Sequence, residues 1–299
     1  MDSPGHLIRR AQRIHTELWS NEVGSEVTGP QYATLVAVAG WAGVDQKTVG
    51  EIASLDKSTC AGVVRRLERK ELIARRRDPE DARRRILELT DAGLAAIPDL
   101  TTRARRVQRT LLKTLSDNDS DDLIRLLRMI SGVSEIAELQ KPQRSAVPTL
   151  AMSATPGYLI RRAQQVHSSL WSNHFGQELT GPQYAVLVAV ADAGTIDQVA
   201  IGERASLDSS TVAEMMARLS DSGWIEREPS PEDRRRMMIA LSARATTALP
   251  RITATVLRVQ DELLHALDGT ERVEFVRLMR AVARCAPSES SDGDFEALR

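Results

Sequence analysis

The sequence predicts a mainly α protein that contains one fold twice, each copy carrying a small β hairpin. Three observations predict it. First, the chain repeats without a gap: Gly5–Val38 matches Gly157–Val190, with GHLIRRAQRIHTELWSN recurring as GYLIRRAQQVHSSLWSN and TGPQYATLVAV as TGPQYAVLVAV. The offset stays at 152 residues from Gly29/Gly181 to Pro79/Pro231, which makes each unit domain-sized rather than a solenoid repeat. Second, strong helix formers with helical apolar spacing dominate both copies. Third, the run from Val49 to Thr90, VGEIASLDKSTCAGVVRRLERKELIARRRDPEDARRRILELT, reads as helix, turn, helix, strand, charged turn, strand. That order is a winged helix-turn-helix.

Taken in chain order, Leu7, Ile8, Ala11, Ile14 and Leu18 keep helical period and predict a helix from near Pro4 to Trp19. Thr28 caps a second helix with Pro30 near its start, and Gln31–Ala39 is apolar on most sides, as in a buried helix. Asp45 opens a short helix to Leu55. Asp56 caps the next, over 57–69, with Val63, Val64 and Leu67 inward and Lys57, Arg65, Arg66 and Arg69 outward. Leu72–Arg76 and Ile86–Leu89 predict the two wing strands. A long helix over Leu94–Leu115 follows, with Pro98 in its first turn, and a last one runs from Asn118 or Asp119 to about Leu139. The first helix and the last two lie outside the winged core. Their apolar faces need covering, most economically by the same helices of another copy. The predicted organisation is a first unit over 1–139, a linker over 140–156 with three prolines, a second unit over 157–286, and a polar tail over 287–299.

Bulk properties narrow the function. The formal charge is −1, so any affinity for nucleic acid must come from a local patch. Two distant cysteines, Cys60 and Cys285, make no disulfide framework and suit a reducing, cytoplasmic setting. No signal peptide or membrane span is expected. Five scattered histidines show no metal-ligand spacing, and no Ser/His/Asp or carboxylate pair suggests an enzyme, so neither metal nor cofactor is expected. Cys60 reads as a small buried residue, since Val212 stands at the same place in the second copy.

The local basic patch is in the first copy. Lys57–Thr90 holds eleven Lys/Arg and six Asp/Glu, a net of +5, whereas Ser209–Ser242 holds five Arg and six Asp/Glu, a net of −1. Lys57 becomes Ser209, Gly62 becomes Glu214, Arg65 becomes Ala217, Arg69 becomes Asp221, and only Arg66 survives, as Arg218. The expected DNA contacts in the first head are Lys57, Ser58, Thr59, Arg65, Arg66 and Arg69 on the helix, with Arg75, Arg76, Arg77, Arg83, Arg84 and Arg85 on the wing. In the second head they are Ser210, Thr211 and Arg218, with Arg234, Arg235 and Arg236. The first head is expected to supply more of the affinity, and the operator to be an imperfect palindrome. The alternative is a regulatory or architectural protein whose second head binds a protein instead of DNA.

The order of elements, and the spacing from GPQY through the basic helix to DPEDARRR…LELTDAG, resemble the MarR family of bacterial regulators. The resemblance covers both copies. It implies two winged helix-turn-helix heads joined by an interlocked helical dimerisation region, here as a single-chain pseudo-dimer. It further implies a repressor that leaves double-stranded operator DNA when a small anionic aromatic effector enters a crevice between the dimerisation helices and a head. The family pattern often has an arginine at the third position of the wing turn. Glu80 and Glu232 stand there instead, leaving neighbouring arginines for the minor groove, with Asp81 and Asp233 orienting them.

Candidate effector-binding residues come from the motif repeated almost intact. His15 and Trp19 lie one helical turn apart, as do His167 and Trp171, with Gln12 and Gln164 one turn away. A His and a Trp beside an Arg suit a planar anion, and Tyr32 and Tyr184 could form the opposite wall. The competing reading is that these side chains simply fill a helix interface.

Overall fold

The computed structural model describes residues 3–41, 43–78, 81, 84–133, 147–176, 178–205, 207, 209–230 and 237–285. Helix α1 spans Pro4–Val23, four residues beyond Trp19, and ends where Gly24 adopts a φ of 77°. Helix α2, Gly29–Gly40, starts at a capping box: the Thr28 hydroxyl accepts the Gln31 amide, and the Gln31 side chain accepts the Thr28 amide. Strand β1, Val44–Asp45, leads into α3, Gln46–Ala53, where Asp45 accepts the Thr48 amide at 2.8 Å. Helix α4, Lys57–Arg69, is capped by Asp56 as its sequence predicts. Strands β2, Ile73–Arg77, and β3, Arg85–Leu89, form the wing hairpin.

The hairpin is antiparallel, with Ile73 opposite Leu89 and Arg77 opposite Arg85. The strand β1 adds to the free edge of β3, giving the order β1-β3-β2. A two-residue strand is too short to show a period, which is why the sequence pattern does not reveal it. Helix α5, Asp91–Leu111, begins three residues before the expected Leu94 because Thr90 caps the Gly93 amide. Pro98 therefore sits inside the helix rather than in its first turn. Helix α6, Asp117–Ile130, begins at a Ser116 cap. Its expected extension to Leu139 enters 134–146, outside the described residues, as are most of the linker's first half and the tail.

A 3-10 turn, Met152–Ala154, precedes α7, Pro156–Phe175. The second copy then repeats the plan: α8, Gly181–Ala193, with the same capping box at Thr180 and Gln183; β4, Thr195–Asp197; α9, Gln198–Ala205; and α10, Ser209–Asp221. It closes with β5, Ile225–Pro229; β6, Met237–Leu241; α11, Ala243–Leu263; and α12, Gly269–Ala283. The sheet order is β4-β6-β5.

Two compact units result, and each combines most of one repeat with a segment of the other. The first-head unit is Ala11–Ala163 together with the chain from Val273. The second-head unit is Gln164–Arg272 together with the chain up to Arg10. In the first, Leu35, Val49, Val64, Leu67, Leu87 and Ile97 are fully buried and tie α2 to α5 and the wing into one core. In the second, Leu187, Val190, Ile201, Met216, Leu219 and Ile239 do the same.

Candidate functional site

Helix α4 presents two faces. Cys60, Val63, Val64 and Leu67 are buried, while Lys57, Arg65, Arg66 and Arg69 are exposed. Cys60 donates to the Gln46 carbonyl, and burial pushes its thiol above the ordinary range, so it is packing rather than a reactive group. Ser58 and Thr59 are exposed at the N-terminus, but their hydroxyls donate to Asp56 at 2.6 and 2.5 Å. Those bonds hold the Asp56 carboxyl well below the usual range, so the cap is ionised at any physiological pH. Among the described residues Arg65, Arg66 and Arg69 carry no ion pair, which leaves three guanidiniums available to an outside anion.

The wing arginines differ from them. Arg75 pairs with Glu68 at 2.9 Å and also donates to the Gln46 side chain at 3.0 Å. Arg76 pairs with Glu88 across the strands at 2.9 Å. Arg84 reaches Asp78 at 3.0 Å and Asp45 at 3.4 Å, and its amide donates to the Asp81 carbonyl, so the arginine locks the wing turn to the start of α3. The carboxylates that hold Arg84 are thus those of Asp78 and Asp45, while Asp81, the expected orienter, meets Arg84 through its backbone carbonyl. Arg77 and Arg85 face each other, exposed, at the turn end of the hairpin. Arg83, Arg234, Arg235 and Arg236, like Glu80 and Glu232, lie outside the described residues.

In the second head the surviving arginine is engaged. Arg218 donates to Glu214 at 2.5 Å, one turn earlier on α10, at the place where α4 has Gly62. Thr211 is half-buried near the start of the helix, and Ser210 is helical backbone there. Val199, which replaces Lys47, is 73% exposed.

The expected effector residues of the first copy come together. Gln12, His15 and Trp19 of α1 and Tyr32 of α2 line one cavity of about 470 Å³. The Trp19 indole donates to the Val27 carbonyl at 2.7 Å, and its ring lies 5.9 Å from His15 and 5.6 Å from Tyr32. The Tyr32 hydroxyl shares a 2.9 Å hydrogen bond with Thr101. In the second copy His167, Trp171 and Tyr184 line a cavity of about 190 Å³, and Gln164 does not. Trp171 donates to Leu179, as Trp19 does to Val27.

Four further residues complete the first site, and sequence reasoning missed them. Gln108 of α5 accepts the Gly157 amide through its side-chain oxygen at 2.8 Å, which turns its amide nitrogen toward His15 Nε2 at 3.3 Å. His15 Nε2 is then the acceptor, and the ring's proton is on Nδ1. Burial, with Arg161 nearby, lowers the His15 pKa to about 4, so the ring is neutral at pH 7. A Cβ at Gly157 would run into the His15 ring, which is why α7 opens on glycine. The second unit repeats this arrangement with Gly5, Gln260 and His167, whose pKa also falls to about 4 through burial and then Arg9.

Tyr158 and Arg161 of α7 also line the cavity. Arg161 donates to the Ala53 carbonyl at 2.6 Å and the Ser54 carbonyl at 2.7 Å, and the Tyr158 hydroxyl donates to the Ile52 carbonyl at 2.8 Å. Arg162 bonds the Ser54 side chain. Together they hold the last carbonyls of α3 and the left-handed Ser54, two residues before the Asp56 cap of α4. Burial brings the Arg161 guanidinium down to about 10, with Arg162 adding to the shift, so it stays charged at pH 7. It has no ion pair among the described residues. Tyr158 and Arg161 could have been suspected from the repeated GHLIRR/GYLIRR stretch, and Gln108 from its recurrence as Gln260. Among the described residues no cluster of three or more His, Cys, Asp or Glu could hold a metal ion, and no helix is long and apolar enough to cross a membrane.

A helix with free guanidiniums beside a basic hairpin defines a winged helix-turn-helix DNA-binding protein. The model of the MarR family matches the chain twice, over residues 27–84 and 179–237. The transcriptional regulator HosA of Escherichia coli O111:H- is 37% identical over 121 residues, covering 40% of this chain and 89% of that one. The HTH-type transcriptional repressor NicR of Pseudomonas putida is 30% identical, covering 38% and 72%. A crystal structure of the PcaV transcriptional regulator from Streptomyces coelicolor with its natural ligand is 35% identical, covers 46% of this chain and 97% of that one, and overlays with a TM-score of 0.44. The chain belongs to the MarR family and carries two MarR-like domains. It is a DNA-binding transcriptional regulator, not an enzyme.

Proposed function

We propose that this protein is a cytoplasmic repressor released from an imperfectly palindromic operator by a small anionic aromatic compound, bound in the first-head cavity. In the first head Lys57, Ser58, Thr59, Arg65, Arg66 and Arg69 face the major groove, and Arg75–Arg77 with Arg83–Arg85 approach the backbone and minor groove. Ser210, Thr211, Arg218 and Arg234–Arg236 do so more weakly in the second.

The observation that carries the effector reading is the double engagement of Arg161. Its guanidinium lines the cavity and at the same time holds the carbonyls of Ala53 and Ser54 beside the reading helix. An anion entering the cavity competes for that guanidinium. Drawing it inward loosens the α3–α4 turn and misplaces Arg65, Arg66 and Arg69. Trp19 and Tyr32 supply ring surfaces, and the neutral His15 offers no competing charge. The repressor sense agrees with the name of NicR.

The test is fluorescence anisotropy of an operator fragment titrated with the protein, with and without a panel of aromatic acids. At least one acid is expected to weaken operator binding, and Arg161→Gln to weaken that acid's binding by about tenfold or more, the loss of a buried charged hydrogen bond. Operator binding indifferent to every acid in the panel counts against the effector reading. A second reading has one observation behind it: Arg218 is tied to Glu214 and Val199 is exposed, so the second head could meet a protein instead of DNA. A footprint protecting only the first half-site favours it.

A further inference from the structure

The two cavities have the same His, Trp and Tyr but differ in size, and one of the differences in their linings is the segment that joins the repeats. Leu150, Met152 and Thr155, all before α7, line the first cavity. In the second cavity Ser3, His6 and Arg9 take the places of Thr155, Tyr158 and Arg161, and nothing in its lining corresponds to Leu150 and Met152. The segment is a built structure. The Leu150 amide points at the Tyr32 hydroxyl at 3.4 Å, and the Thr155 hydroxyl donates to the Ala151 carbonyl at 2.8 Å. The Ala154 amide donates to Ala151 and the Thr155 amide to Met152, closing the 3-10 turn. The Leu159 amide then donates to Thr155, so the wall continues directly into the helix that carries Tyr158 and Arg161.

We propose that Leu150–Thr155 is a specificity wall. It makes the first-head cavity, rather than its second-head counterpart, the effector site, and it selects an aromatic acid bearing a second ring or comparable apolar group over a single-ring acid. Small-molecule sites occupy roughly 300–1,000 Å³. The first cavity, at about 470 Å³, falls within that range, and the second, at about 190 Å³, falls below it. Arg161 supplies the charge in the lining, and Leu150 and the adaptable Met152 supply apolar surface in the same cavity. An acid that leaves the apolar wall uncovered gives up that burial. This inference rests on the effector reading above.

The test is calorimetric titration of the full chain with biphenyl-4-carboxylate and with benzoate. The expected result is one biphenyl-4-carboxylate per chain, bound at least tenfold more tightly than benzoate. Leu150→Ser/Met152→Ser should bring that preference below threefold, with an unchanged far-ultraviolet circular dichroism spectrum showing that the variant is folded. Leu150→Ala/Met152→Ala should give an intermediate preference. Two equivalents per chain, or a preference that survives in both variants, overturns the specificity wall and leaves the effector reading standing. Failure of both acids to bind wild-type protein overturns the two together.

Discussion

The two reading heads share a skeleton and differ in what they show to solvent. Both open their second helix with the same Thr–Gln capping box, both anchor a tryptophan to a backbone carbonyl, and both set a buried neutral histidine against a glycine and a glutamine. Yet α4 offers three arginines with no ion pair among the described residues, and α10 offers one, already held by Glu214. The difference teaches which constraints are strict. A ring packed against a glycine tolerates no added methyl group, so the framework stays fixed. An exposed helix face costs little to change, so charge can be removed from one head without loss of the fold.

The largest expected effect breaks the comparison most directly. Arg65→Ala/Arg66→Ala/Arg69→Ala should weaken operator binding at least about 100-fold at physiological salt and reduce the slope of log K against log [salt] by roughly three, at about 0.9 per phosphate contact. Arg218→Ala should cost less than about threefold. Equal losses in anisotropy titrations would make the heads equivalent.

The next effect tests what the heads share. His15 and His167 have folded pKa values of about 4 against 6.5 when exposed. A depressed folded pKa means the unfolded chain binds more protons between those values. The stability each neutral ring supports is therefore complete above pH 6.5 and is lost as pH falls toward 4, on the order of 3 kcal/mol per ring. Urea unfolding at pH 7 and pH 5 should show the decline, and His15→Gln or His167→Gln should each remove about half of it. A decline carried by one histidine alone would show that the shared skeleton is not shared energetically.

The smallest effect sharpens the charge difference. The Arg218–Glu214 pair is exposed, so its contribution to stability is slight. Glu214→Ala should leave the thermal midpoint within about 1 °C, because surface changes cost little. It should raise operator affinity a few-fold and steepen the salt slope by about one, through the freed arginine. No change in slope would mean that the second head does not reach phosphate.

What could be read in advance was what is local in sequence. Thr28, Asp45 and Asp56 announce helix starts because an N-cap acts within three residues, and the wing shows in the charged turn between short apolar runs. The repeat itself pointed to His15, Trp19 and Tyr32, which do share a cavity wall. Hidden were the partners supplied from afar. Gln108 lies 93 residues from His15, and Arg161 lies 108 from Ala53. Leu150 and Met152 belong to a stretch whose prolines and small residues signal only a connection. Periodicity and capping carry no information about such meetings. The edge strand β1 escaped for the opposite reason, being too short to have a pattern.

The exchange of segments between the repeats sets a timetable for synthesis. The first-head unit includes α12, one of the last helices of the chain to be made, and the second-head unit includes the start of α1, the first. A nascent chain can form the α2–α4 core early from local contacts, but the finished unit has to wait until α12 has left the ribosome. The opening turns of α1, with the buried apolar Leu7 and Ile8, belong to a unit that waits for Gln164–Arg272. A regulator built this way completes its first-head unit only once α12 has been made, so a product truncated before α12 lacks part of the unit that carries its basic reading helix.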